Sequence, residues 1–191
     1  MHRSGVRTWF RPVSALAVLL LAPLAGAQDR RLIQPQKLAP YVTSPQPIVV
    51  KMLEIARLKS GETLYDLGCG DGRILTTAAK DFGARAVGVE LSPALVRRAR
   101  QAVESLGLQD QVKVIEGDLM QVDLSGADVV ALYLLTEANE QLRPKLEREL
   151  KPGARVVSLE FRIKGWKPAR IEKVEAHRHP YTIYLYELPQ K

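Results

Sequence analysis

From residue 63 to residue 159, contiguous runs of apolar residues alternate with longer stretches in which apolar side chains recur every three or four positions. The contiguous runs, 63–66, 86–90, 112–116, 128–132 and 155–159, are short and β-prone and predict strands buried on both faces. The stretches between them predict helices. In 73–82, Ile74, Leu75, Ala78 and Ala79 share one stripe. Residues 93–106 open on Pro93 and stop at Gly107. In 139–150, Leu142, Leu146 and Leu150 form the stripe, and Pro144 predicts a later start or a bend. An earlier helix is expected from Pro47, with Ser44 as its N-cap, through Ile48, Val49, Met52, Leu53, Ile55 and Ala56 to about Lys59-Ser60-Gly61. Strand–helix alternation implies right-handed crossovers and an α/β, doubly wound, mostly parallel sheet. Residues 171–175 and 182–186 read as two further strands, a hairpin that gives the sheet an antiparallel edge.

The first 27 residues break this pattern. Arg3, Arg7 and Arg11 precede an apolar run from Val13 to Leu24, followed by Ala25-Gly26-Ala27, the layout of an export signal with a small-residue cleavage site. The run falls short of the about 20 residues of a comfortable membrane span, although an uncleaved membrane anchor is the alternative. Either reading puts the following domain outside the cytoplasm, periplasmic or secreted. Residues 28–44 form a proline-rich lead-in, with Pro35 and Pro40, and a single domain of 45–191 follows. Residues 41–45 either lie over the domain surface or fold over a ligand as a lid.

Charge and composition narrow the chemistry only a little. The net charge is +7, of which the three leader arginines supply part, and the remaining cations are scattered, so no nucleic-acid partner is expected. The single cysteine, Cys69, excludes a disulfide framework and a thiolate metal site. His177 and His179 are two residues apart on one face of a possible strand, but two histidines with no third ligand nearby do not make a zinc site. No bound metal is expected.

The candidate chemistry lies in Asp66-Leu67-Gly68-Cys69-Gly70-Asp71-Gly72-Arg73, a turn between the first strand and the helix after it. Gly68, Gly70 and Gly72 let a ligand lie against bare backbone, next to a helix start that suits a carboxylate or phosphate. A nucleotide site follows, but the dinucleotide fingerprint would require glycine where Arg73 stands. Asp66 would also oppose a pyrophosphate, whereas a ligand with a cationic amine and sulfonium would welcome it. In open sheets ligands bind beyond the carboxyl ends of strands, and the second strand ends at Glu90, placed to accept hydrogen bonds from ribose hydroxyls.

The string from Asp66 to Gly72 resembles motif I of the class I S-adenosylmethionine (SAM) methyltransferases, which implies a Rossmann-like fold and SAM as cofactor. By this resemblance Asp66, Gly68 and Gly70 contact the methionine part, Glu90 the ribose, and Asp118 with Leu119 the adenine side. Tyr41, Cys69 and Leu91 join the cofactor-lining candidates. Tyr41-Val42, Ser44-Pro45, Met52-Leu53, Asp71-Gly72-Arg73, Leu132-Tyr133-Leu134-Leu135 and the stretch from Phe161 to Trp166 are similar to a narrower group. This group is the small protein-lysine methyltransferases of the ATP synthase c-subunit and the adenine nucleotide carrier, with their bacterial relatives. That likeness implies a protein lysine as acceptor. The Asn/Asp-Pro-Pro-Tyr/Phe tetrad of enzymes acting on nucleobases or glutamine amides is replaced by Leu132 to Thr136.

Methyl transfer from a sulfonium is an in-line displacement that requires positioning and exclusion of water, not a covalent intermediate. Tyr133, beyond the fourth strand, and Glu160, beyond the fifth, are the polar groups expected to face the acceptor amine. Trp166 either walls the substrate approach or packs. The competing readings are a methyltransferase of small molecules, a nicotinamide-dependent reductase, which Asp66 and Arg73 oppose, and a non-catalytic exported domain that keeps the fold. An uncleaved N-terminal segment would also associate the protein with a membrane.

Overall fold

The computed structural model describes residues 41–190. The leader of 1–27 and most of the lead-in of 28–44, and with them the export and anchoring expectations, lie outside the described residues. The described part is a seven-stranded sheet with helices on both faces. In chain order its elements are α1 (Gln46–Ile55), β1 (Thr63–Leu67), α2 (Arg73–Phe82), β2 (Arg85–Glu90), α3 (Pro93–Ser105), β3 (Val112–Glu116), a 3-10 turn (Leu119–Gln121), β4 (Val129–Leu132), α4 (Thr136–Glu149), β5 (Arg155–Leu159), β6 (Arg170–Ala176) and β7 (His179–Glu187). The strands lie in the order β3-β2-β1-β4-β5-β7-β6; the first five are parallel, and β7 runs antiparallel between β5 and β6. The chain leaves β1 toward β2 on one side and returns to β4 on the other. Their shared C-terminal end is therefore the switch point where a ligand crevice opens.

Two apolar layers hold the sheet. Ile48, Met52 and Leu53 of α1 and Leu75 and Ala78 of α2 pack on one face with Leu64, Val129 and Val157. Leu142 and Leu146 of α4, with Ile163 and Trp166 of the loop after β5, pack on the other with Leu67, Val130, Leu132 and Tyr186. β4 and β5 are buried at every position, which explains their unbroken apolar runs.

Several expectations need correction. Ser44 does not cap α1: Pro45 takes the N-cap position with no side-chain bond, and Pro47 sits in the first turn where a missing N–H costs nothing. The helix stops at Ile55 instead of near Ser60, because Arg57 turns left-handed (φ 52°). The buried guanidinium of Arg155, 8% exposed, takes the Ala56 and Arg57 carbonyls at 2.8 Å each and pairs with Glu62 at 2.6 Å. A cation from β5 thus satisfies a helix end whose carbonyls would otherwise be orphaned. Helix α4 starts at Thr136, three residues before the expected start, and runs through Pro144. The β6–β7 strands are longer than expected, and His177 lies in the two-residue turn between them while His179 opens β7. The two histidines therefore do not share a strand face.

Candidate functional site

The C-terminal ends of β1, β2 and β4 and the segment 41–44 enclose a cleft of about 870 Å³ that is open to solvent. All nine cofactor-lining candidates line it: Tyr41, Asp66, Gly68, Cys69, Gly70, Glu90, Leu91, Asp118 and Leu119. Tyr133 lines it as well, but Glu160 is not among the lining residues.

The glycine turn is bent by backbone that side chains rarely adopt. Gly70 has φ 56°, and a β-carbon there would come within 2.7 Å of the Tyr41 ring. Gly72 has φ 81°, and a β-carbon would press the Ala99 backbone of α3 at 3.2 Å. Glycine at these two positions is therefore needed both for the turn and for the close approach of its neighbours. Cys69 fits as the small residue expected, its sulfur filling the space left by Gly88, where an added β-carbon would lie 2.7 Å away. Burial, with Asp66 and Glu90 adding to it, pushes this thiol well up, so it is no nucleophile.

Three carboxyl groups face one another across the turn, and they are not equivalent. Glu90 is pinned at the strand tip by two backbone donors, Gly70 N–H at 3.0 Å and Ser92 N–H at 2.8 Å. A carboxylate has about four lone-pair sites, so this leaves acceptor capacity for a ligand. Asp71 is held below the usual carboxylate range by hydrogen bonds from Arg73, with the Tyr41 hydroxyl contributing. Asp66, 3% exposed, has one oxygen, Oδ2, with no hydrogen-bond partner among the described residues. Burial, then the nearby Glu90 and Asp71 charges, raise its pKa to about 8. An unpaired, buried carboxyl is costly, and a cationic ligand group beside it would remove that cost. The amine and sulfonium of SAM have this chemistry, and the bare turn with Glu90 beside it suits a nucleoside. The residues present fit the cofactor.

The expectation that the helix start would greet a ligand carboxylate is only partly met. The Gly70 and Arg73 N–H groups are already taken by Glu90 and Asp71, and those of Gly68 and Cys69 by the Val89 carbonyl. Asp118 caps the 3-10 turn by accepting from Met120 N–H at 2.9 Å, which fixes its carboxylate at the cleft wall. Leu95, Leu134 and Arg73 also line the cleft, though their chemistry in the sequence did not mark them as ligand-facing. Leu134 reaches within 3.3 Å of the β-carbon position of Gly68.

On the other side of the cleft, the Tyr133 ring stands 6.3 Å from that of Phe161, and burial followed by the Glu160 charge raises its phenol pKa. Glu160 is itself left-handed (φ 64°); it donates its N–H to the Thr182 carbonyl at 2.7 Å and accepts the Thr182 N–H at 2.5 Å. Trp166 packs edge-on against Tyr186 and donates to Glu147 at 2.7 Å, so packing is the reading that holds. Among the described residues no helix is long and apolar enough to cross a membrane, and no three His, Cys, Asp or Glu side chains are grouped to hold a metal.

Comparison with known proteins agrees with this geometry. Residues 66–170 match the family described as ANTKMT methyltransferase domain. A protein-lysine N-methyltransferase of Saccharolobus islandicus is 50% identical over 148 residues, which are 77% of this chain and 92% of that protein. The lysine N-methyltransferase of the ATP synthase c-subunit from Xenopus laevis is 34% identical over 151 residues; the match takes in 78% of this chain but only 63% of that longer protein. A crystal structure described as an RNA methyltransferase from Salinibacter ruber, bound to S-adenosylhomocysteine (SAH), superposes with a TM-score of 0.74 at 43% identity, over 78% of this chain and 95% of that one. With the acid-lined glycine turn and the sheet order above, these matches establish SAM as the cofactor and the chain as a methyltransferase belonging to the ANTKMT family.

Proposed function

We propose that the protein transfers a methyl group from SAM to the side-chain nitrogen of a lysine in a protein. The observation that carries the cofactor half of this reading is Asp66, a buried carboxyl with an unpartnered oxygen on the floor of a bare-backbone cleft. The acceptor half is supported by the archaeal relative's likeness over nearly its whole length, and by Leu132 to Thr136 standing where nucleobase enzymes carry their tetrad.

SAM, when bound, supplies an electrophilic methyl group on a sulfonium. Asp66, Glu90 and the Gly68–Gly70 backbone would hold its methionine and ribose parts, with Asp118, Leu119 and Leu91 along the adenine side. Tyr41 would cover it from the segment 41–44. The protein's remaining task is to present a neutral amine in line, at roughly 3 Å, with water excluded. The Tyr133 hydroxyl, on the cleft wall, would orient the amine. Glu160, whose charge reaches the Tyr133 phenol and whose carboxylate is fixed by Thr182, would draw a cationic side chain in and favour loss of its proton outward. The basic and apolar leader supports delivery of this activity to a membrane or beyond the cytoplasm, and a mature protein beginning at Gln28 by mass spectrometry would accord with cleavage.

The test is incubation of the purified full chain with labelled SAM and a cell extract, followed by separate protease and ribonuclease digestion. Label that survives ribonuclease and is recovered as methyllysine supports the proposal. Label released by ribonuclease would favour an RNA acceptor, the activity named for the Salinibacter structure, and would overturn the lysine reading.

A further inference from the structure

Arg73 is the first residue of α2, where a cation faces the positive end of the helix dipole. The N-cap is Gly72 and the first turn holds no acid to pair with it. The guanidinium is used elsewhere. Its Nε and Nη2 fork onto the Asp71 carboxylate at 3.0 and 2.6 Å, and its Nη1 donates to the Ser44 carbonyl at 2.6 Å. A second tie joins the same two pieces one turn further along, Gln46 Nε2 to Thr77 Oγ1 at 2.8 Å. Beyond these ties the Tyr41 ring lies against Gly70, and residues 41–44 line the cleft mouth. Val42 is 55% exposed, so apolar packing does little to hold this strap in place.

We propose that Arg73 is a positioning residue for the cofactor: a latch that fastens the 41–44 strap across the glycine turn and so sets how long SAM stays bound. This rests on the methyltransferase reading of the site. The same fork neutralises Asp71, which leaves Asp66 and Glu90 as the acids of the turn without a cationic partner among the described residues. Lysine cannot substitute, because a single ammonium cannot grip a carboxylate with two parallel bonds and reach a third acceptor. A backbone carbonyl as the strap's anchor also makes the latch independent of the side chain at position 44.

The test uses the full chain and SAH as probe, with Arg73→Ala, Arg73→Lys, Tyr41→Ala and the Arg73→Ala/Tyr41→Ala pair. Either Arg73 variant should speed SAH dissociation about tenfold with the association rate nearly unchanged, since latch loss acts on escape. The KM for SAM should rise while kcat at saturating SAM holds, and amide exchange at residues 42–44 should accelerate. Tyr41→Ala should add little once Arg73 is gone, because both act through one strap. The ligand-free melting temperature should fall only slightly, since the bonds that Arg73 makes to Asp71 and Ser44 are partly exposed. Wild-type dissociation rates and unchanged exchange in Arg73→Lys would overturn the latch, as would loss of the fold in Arg73→Ala. Failure of the wild-type chain to bind SAH at all would remove the cofactor site itself, a different and visible outcome.

Discussion

The two sides of the cleft are built on opposite principles. The cofactor side, at the tips of β1 and β2, keeps its ligand-facing groups fixed by hydrogen bonds: Glu90 is tied by two amides, Asp71 by a forked arginine, and Asp118 by its own turn. The acceptor side, beyond β4, β5 and the β6–β7 hairpin, is more strained. Glu160, His177 and Arg178 are all left-handed without being glycine, and Leu135 is partly exposed. Leu159, the last residue of β5, pairs with Ile183, so the start of β7 at His179 stands four residues, about 13 Å, beyond the end of β5. A cofactor of constant shape rewards a fixed cradle; an acceptor chain that must come and go is met by projecting, conformationally costly loops. Changes on the two sides should therefore separate cleanly into effects on SAH affinity and effects on turnover.

The largest effect is expected at Asp66. Asp66→Asn keeps the shape and removes the charge, and calorimetry should show SAH affinity falling by about a hundredfold or more. The ligand-free fold should not suffer. In the folded protein the Asp66 pKa is raised from 3.8 to about 8, so its contribution to stability is full below pH 4 and is lost as pH rises through 8. Wild-type melting temperature should carry that downward slope between pH 4 and 8, and Asp66→Asn should flatten it. Binding of a cationic ligand needs the ionised form, so SAH affinity should climb about tenfold per pH unit up to 8 and then level off. A pH-independent affinity would mean that Asp66 is not the ligand's counter-charge.

Next come Tyr133→Phe and Glu160→Gln. Each should lower turnover of a protein acceptor by about ten- to a hundredfold, within the range general acid–base and orienting groups supply, while SAH affinity stays put. A parallel loss of SAH affinity would show that the two sides are one unit and erase the contrast.

The cofactor side was also the more legible in sequence. Its acids lie at strand ends, its glycines recur at every second position from Gly68 to Gly72, and contiguous apolar runs mark β1, β2 and β3 to within a residue. The acceptor side hid its structure for identifiable reasons. The first turn of α4 lacks an apolar stripe because Asn139, fully buried, spends its amide on the Phe161 carbonyl at 3.2 Å instead of packing. The positive φ of Glu160 follows from pairing with Thr182 across strands, which no local pattern records. Arg73 was visible only as a departure from a glycine motif; its grip on the Ser44 carbonyl involves a backbone atom that every residue has. Export and anchoring rest on residues outside the described part, and the roles of Tyr133 and Glu160 rest on the proposed acceptor.

The smallest expected effect falls at the hairpin tip and probes whether the strain there is idle. Ala176 pairs with His179, so His177 and Arg178 form a two-residue loop with φ of 52° and 63°, the positive-φ pair that strongly prefers Asn-Gly. His177→Asn with Arg178→Gly should relieve it and raise stability by about 1 kcal/mol, read by urea unfolding. SAH affinity should not move, because neither residue lines the cofactor cleft. If the KM for a protein acceptor rises while stability improves, the unfavourable turn is retained for acceptor contact. An acceptor KM left at the wild-type value would make the strain incidental and restrict acceptor recognition to the β4 and β5 tips.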